Sequence, residues 1–404
     1  MAKPKLALIP ASQGDKLYSV LPSSGVGDFS FSRSGGATRI NSQGLIETVA
    51  SGVSRLNYPL IDGVVNGCPS HLLEPQRTNL VTYSEDFSQS VWEFGGIIKT
   101  PNNSISPDGT LNAEKIEITT LSTPNLRQTI GVLPSTQYTF SFYAKSNELS
   151  NLKLAVYDLS NALFIFENEE KLINSQWSRV SVTFTTPSGC NSLRAFIFRN
   201  SDTLGSFYVW GGQFEEGSYG TSYIPNYGNA AGVTRSAETA TGAGNSTTFN
   251  DSEGVLMAEI STLQSSGEDI YISVNNGVSN RITLRNTSAL NNVVGQCVFG
   301  GVNQASMDYT LEDRTANNKI SIRYKLNDFS LWVNGFKVVT DNIGSVPTSL
   351  NDLSYTNGNG VANWYGKTKQ LQYFDSALAD TQLEQLTSWQ SFRDMANGQL
   401  YTIE

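Results

Sequence analysis

Tyr138-Thr-Phe-Ser-Phe-Tyr-Ala-Lys145 alternates without a break. Tyr138, Phe140, Phe142 and Ala144 fall on one face of an extended strand, and Thr139, Ser141, Tyr143 and Lys145 fall on the other. An apolar face backed by a more polar one is the pattern of a strand buried on one side, the unit of an antiparallel sandwich. The same period returns in Leu152, Leu154 and Val156, then in Val180, Val182 and Phe184, and less cleanly through residues 192–200 and 207–214. Turn residues between these runs complete the signature of a jelly roll or sandwich over residues 85–225.

A second block of alternation follows. Ile320, Ile322, Tyr324 and Leu326 alternate with Ser321, Arg323, Lys325 and Asn327, and Phe329, Leu331 and Val333 lead into Asn334-Gly335. Asn-Gly between alternating strands predicts a tight hairpin, because both central turn residues take positive φ. The spacing of Leu383, Leu386 and Trp389 behind Thr381-x-x-Glu384 predicts one short capped helix near the C-terminus. Residues 250–404 are therefore expected to form a second sandwich. Residues 226–249, small, polar and glycine-rich, are expected to act as a linker.

The N-terminal part reads differently. Pro4, Pro10 and Pro22, with glycines up to Gly27, predict an extended arm over residues 1–27 that orders only against a partner. Residues 28–84 hold short β-prone pieces and a turn at Asn66-Gly67, with too little apolar content for a core of their own, so a small docking and anchoring region is expected. The fold class is thus mainly β: two antiparallel sandwiches after an extended N-terminal anchoring region.

Composition narrows the function. The 404 residues carry a net charge of −9 with 16% charged residues, and no cluster of Lys and Arg suits a phosphate backbone, so nucleic acid is not an expected partner. No apolar run approaches the ~18 residues that span a bilayer, and the apolar stretch before Pro10 is too short for a secretory leader. Cys68, Cys190 and Cys297 lie far apart and read as free thiols. His71 is the only histidine, which excludes a centre needing two imidazoles, and its turn-like Cys-Pro-Ser-His setting reads as structural. With neither a P-loop nor a complete Gly-x-Gly-x-x-Gly between strand and helix, no cofactor and no metal are expected.

Glycoside hydrolysis needs two carboxylates flanking the sugar bond. Glu167, Glu169 and Glu170 fall in a run that reads as a solvated hairpin tip, and Glu215 and Glu216 point to opposite faces of one strand. Neither set makes a catalytic pair. Sugar binding needs less: a flat ring and nearby polar groups. Tyr143, Tyr157, Tyr208 and Trp210 fall on the off-core phase of three strands, and Trp332 is out of phase with Phe329, Leu331 and Val333. Two readings fit these rings: a glycan platform, or a face covered by a loop or a neighbouring subunit. Trp92, Trp177, Trp364 and Trp389 read as core or edge packing.

Several strings carry a resemblance. Gly44-Leu-Ile-Glu-Thr-Val, Leu73-Glu-Pro-Gln-Arg-Thr-Asn-Leu80, Tyr83-Ser-Glu-Asp-Phe87 and Val209-Trp-Gly-Gly-Gln-Phe-Glu-Glu-Gly-Ser-Tyr-Gly-Thr-Ser-Tyr-Ile-Pro225 resemble the modular surface proteins of tailed bacteriophages, described as fibre, tail or head-decorating proteins. The middle module resembles jelly-roll carbohydrate-binding modules of families four and nine. Residues 250–390 are similar to concanavalin A-like or laminin G-like sandwiches, through Asp328-Phe-Ser-Leu-Trp-Val-Asn-Gly335 and Gln370-Leu-Gln-Tyr-Phe-Asp-Ser-Ala-Leu378. The resemblance implies a non-enzymatic protein of the virion surface, made in the host bacterial cytoplasm. It implies a homo-oligomer, with a trimer favoured, attached to other virion proteins through its N-terminal region and turned toward host or environmental glycans. A decoration without sugar binding, and less readily a glycan depolymerase, are the alternatives.

Overall fold

The computed structural model describes residues 3–13, 16–21, 26–61 and 63–389. The first sandwich consists of two five-stranded antiparallel sheets. The front sheet orders its strands Ile97–Ile105, Leu111–Ile118, Gly205–Glu216, Gln137–Lys145, Ser178–Thr185; the back sheet orders Trp92–Gly95, Asn125–Gly131, Ser192–Arg199, Asn151–Asp158, Leu163–Leu172. Tyr138, Phe140, Phe142 and Ala144 point into the shared core with Leu152, Leu154 and Val156 from the opposite sheet, as the alternation requires.

The second sandwich packs an eleven-stranded sheet against a five-stranded one. Glu253–Thr262 pairs with Asn318–Lys325 and with Gly366–Phe374. Asn334 and Gly335 take φ of 49° and 93° and close the hairpin between Phe329–Val333 and Phe336–Asp341. Among the described residues the one helix is Asp380–Thr387. Its start lies two residues earlier than the sequence suggests: Gln382 Oε1 accepts the Ala379 N–H at 3.1 Å, which leaves Thr381 inside the helix.

The described N-terminal residues do not form a free arm; residues 1–2, 14–15 and 22–25 of the expected arm lie outside the described residues. Leu6, Ala7 and Leu8 pair with Tyr373, Gln372 and Leu371 of the Gly366–Phe374 strand, and Leu6, Leu8 and Leu17 are buried. The alternation of Leu6 and Leu8 beside an open strand edge outweighs the flanking prolines. The other half of that edge takes Ser70–Leu73, with Thr368 opposite His71. His71 thus sits buried in a strand, not in a turn. Residues 28–84 do dock, but onto both sandwiches of their own chain: Phe29, Phe31 and Leu73 enter the second core, and Ile46 covers the first.

The expected linker is woven into this structure as well. Val233–Arg235 pairs with Arg77–Asn79, and Thr239–Thr241 pairs with Phe29–Ser32. Small residues such as Ala240 and Ala243 are buried there, so the glycine-rich composition reflects close packing, not slack. Between the sandwiches lies a buried ionic cluster. Glu238 accepts from Arg33 at 2.7 Å and from Arg55 Nε at 2.8 Å, while Glu74 pairs with Arg55 and Arg235, each at 2.8 Å. Ser222 donates to both Glu74 oxygens through its N–H (2.8 Å) and hydroxyl (2.6 Å). Burial alone would raise the Glu74 carboxyl, yet Arg235 and Arg55 hold it well below the usual carboxylate range.

Candidate functional site: a cleft on the front sheet

The outer face of the front sheet is covered at one end and open at the other. At the covered end, Gln213 and Glu215 are sealed by the returning loop: Glu215 accepts from Thr221 N–H (2.8 Å) and Thr221 Oγ1 (2.6 Å). Next along the sheet, Trp210 lies under Tyr223, with ring centroids 4.6 Å apart, and packs with Ile46 and Ala113. Gly211 makes this possible. Its φ is +65°, and a Cβ there would stand 3.2 Å from Tyr143 and 3.4 Å from Tyr223.

Where the cover ends, a cleft of about 330 Å³ opens between the sheet, the turn after Ile97–Ile105, and the loop joining Ala37–Ile40 to Ile46–Val49. Tyr143 and Lys145 form its floor and Trp177 its wall. The Trp177 ring is half-buried, and its Nε1–H donates to the Ile105 carbonyl at 2.9 Å, which fixes the plane. Lys145 Nζ lies 4.8 Å from the Trp177 centroid and 5.4 Å from that of Tyr208. Burial pulls its ammonium pKa down. The exposed amides of Gln43 and Gln176 stand at the rim.

Such an arrangement offers a fixed indole face, a cation and two amides around a groove. A pyranose presents an apolar C–H face to such a ring and hydroxyls to donors and acceptors at its edge. Among the described residues that line it, none is a carboxylate.

The residues singled out from sequence separate here. Tyr143 lines the cleft and Tyr208 flanks it through Lys145. Trp210 is buried and serves packing, because Tyr223 and Ile46 cover the face that its strand phase leaves open. Tyr157 belongs to the back sheet, edge-on to Phe164 at 4.9 Å, so it cannot share a surface with Tyr143. Trp332 is buried beneath the C-terminal helix with Leu383 and Leu386. Trp177, read as packing, is instead the ring best placed for a ligand. Its setting in Asn174-Ser-Gln-Trp, a polar stretch with no strand alternation, was the available signal.

The acidic candidates separate too. Glu167, Glu169 and Glu170 lie on the edge strand Leu163–Leu172, not at a hairpin tip, and meet Arg199 (2.7 Å), Lys171 (3.1 Å) and Lys153 (3.8 Å). Among the described residues no group of three or more His, Cys, Asp or Glu is placed to hold a metal ion. Cys68, Cys190 and Cys297 are all free thiols.

A family model described as a carbohydrate binding domain matches residues 82–204. Among solved structures, the chain is similar to the CBM40 module of the Ruminococcus gnavus IT-sialidase, at 17% identity over 37% of this chain and 94% of that one, with a TM-score of 0.31. It is also similar to the CBM22-1-CBM22-2 tandem of Paenibacillus barcinonensis Xyn10C, at 10% identity over 74% of this chain and 98% of that one, with a TM-score of 0.29. A third likeness is to the enzymatically active domain of bacteriophage CBA120 tailspike protein 4, at 15% identity over 34% of this chain but 21% of that one, with a TM-score of 0.29. No curated protein sequence matches the chain. The match thus spans nine of the ten strands of the jelly-roll-like sandwich, all but Gly205–Glu216.

Proposed function

We propose that this chain is a non-catalytic glycan-binding protein whose first sandwich takes sugar in the cleft between Tyr143, Lys145 and Trp177. The observation that carries the reading is the fixed, half-buried Trp177 ring beside the exposed amides of Gln43 and Gln176. The carbohydrate-binding-domain match over the same module supports it. A single shallow site of this kind binds weakly, and several copies on one particle raise the effective affinity.

The wider setting we propose is the surface of a tailed-phage virion, on the strength of the four sequence strings above. Several of these strings make the clasp between the sandwiches: Glu74 from one contacts Ser222 from another at 2.6 Å, and Asn79 donates to the Gly212 carbonyl at 3.0 Å. The described residues Leu6–Leu8 are used within the chain's own sheet, which leaves their outer surface for attachment. Immunogold labelling of intact virions checks the location, with gold on the particle expected and gold confined to the lysate contradicting it.

A purely structural decoration is the second reading, favoured by one observation. The edge strands Leu163–Leu172 and Phe336–Asp341 expose Leu172 and Phe336 at 83% and 73%, and open apolar edges suit contact with further copies. Glycan-array binding separates the readings: retention that falls when Trp177 is replaced supports the first. Binding to nothing on the array, with a stable oligomer, supports the second.

A further inference from the structure

A cleft of about 750 Å³ lies away from Trp177, where the end of the first sandwich faces the second. That size falls within the usual range for ligand clefts, about 300–1,000 Å³. Its central feature is Arg77. The guanidinium lies across Gly217, where a Cβ would stand 2.8 Å from Nη2, and its Cζ is 5.4 Å from the centroid of the Tyr219 ring. It is therefore held in orientation by backbone and ring. Nη1 donates to the Gln76 carbonyl at 3.0 Å, Nε is buried without a partner, and Arg77 forms no ion pair with any described residue.

Two carboxylates share the cleft. Glu216 comes from the first sandwich, next to Gly217, and Glu268 from an exposed loop of the second. Neither is in an ion pair among the described residues, and Asn191 adds a further polar group. One oriented donor fork between two carboxylate acceptors suits vicinal hydroxyls, which donate to a carboxylate and accept from a guanidinium. With acids outnumbering the cation, an acidic sugar or phosphate meets net repulsion.

We propose that this cleft is a second glycan site, specific for uncharged oligosaccharide and composed of residues from both sandwiches. The proposal rests on the reading of the chain as a glycan binder, but on residues separate from the Trp177 cleft. Occupancy bridges the sandwiches, because Arg77 and Glu216 sit on one wall and Glu268 on the other.

The test is isothermal titration of the full chain with cellohexaose, mannohexaose and a galacturonan hexamer, in wild type and in Trp177→Ala, Glu268→Gln, Arg77→Lys and the Trp177→Ala/Glu268→Gln pair. Glu268 is exposed, so Glu268→Gln is expected to keep the wild-type melting temperature. The expected result is that Trp177→Ala keeps binding of at least one neutral hexamer, that adding Glu268→Gln weakens it tenfold or more, and that Arg77→Lys weakens it similarly while the galacturonan stays unbound. Binding abolished by Trp177→Ala alone overturns this second site and leaves the first. Neutral binding whose stoichiometry and affinity are the same in wild type and Trp177→Ala, and which Glu268→Gln alone removes, overturns the first and leaves the second. Residual binding unchanged by Glu268→Gln, or preference for the galacturonan, overturns the proposal, and binding of no hexamer by wild type overturns both.

Discussion

Glu74 and Arg235 pair at 2.8 Å in the buried seam between two sandwiches, with Arg55 on the other side of the same carboxylate oxygen. Neither residue belongs to a sandwich strand: Glu74 comes from the segment read as a docking region and Arg235 from the one read as a linker. The pair ties those segments together and thereby fixes how the clefts on either side are walled.

Replacing Glu74 by Ala leaves Arg55 and Arg235 buried without one of their counter-charges. Removing one partner of a buried ion pair costs about 3–5 kcal/mol. Urea unfolding of Glu74→Ala is expected to show a loss of that size, whereas Glu167→Ala, at an exposed pair with Arg199, should change stability by less than about 1 kcal/mol.

Trp332→Ala is expected to cost about 3–5 kcal/mol through the cavity left beneath Leu383 and Leu386. Glycan binding by the folded variant should be unchanged, since the ring faces no cleft. Thermal unfolding and titration with the bound glycan measure the two effects separately.

A pH dependence follows from Glu114. It is buried on the same phase of its strand as Ile116 and Ile118, and burial, opposed by Lys99, pushes its carboxyl up to about 7 from 4.5. A raised folded-state pKa means that the folded chain holds the proton more tightly. Its contribution to stability is therefore full below pH 4.5 and is lost as pH rises through 7. The stability of Glu114→Gln relative to wild type should then rise by on the order of 2 kcal/mol between pH 4 and pH 8. A difference that is flat with pH removes Glu114 from the account.

Much of the fold was legible because period-two patterning is a local property. The faces of Gln137–Lys145 and Asn318–Lys325, and the Asn334-Gly335 turn, follow from residues next to one another. The pairing of Leu6–Leu8 was not legible, because its partner Leu371–Tyr373 stands at the other end of the chain. Strand phase placed Trp210 and Trp332 off the local core correctly, but phase does not state what packs on the second face. There Tyr223 and the C-terminal helix supply the cover. Tyr157 and Tyr143 carry the same phase, yet chain order could not assign them to opposite sheets. Trp177 was missed because a tryptophan that enters no alternation resembles packing until its neighbours Lys145 and Ile105 are in place.

The most direct check is a glycan array probed with wild type, Trp177→Ala and Tyr157→Ala at equal concentration. The account predicts that the sugars requiring the first sandwich are lost by at least tenfold in Trp177→Ala and retained in Tyr157→Ala. Equal binding by wild type and Trp177→Ala to every sugar, or loss in Tyr157→Ala with Trp177→Ala intact, would contradict it.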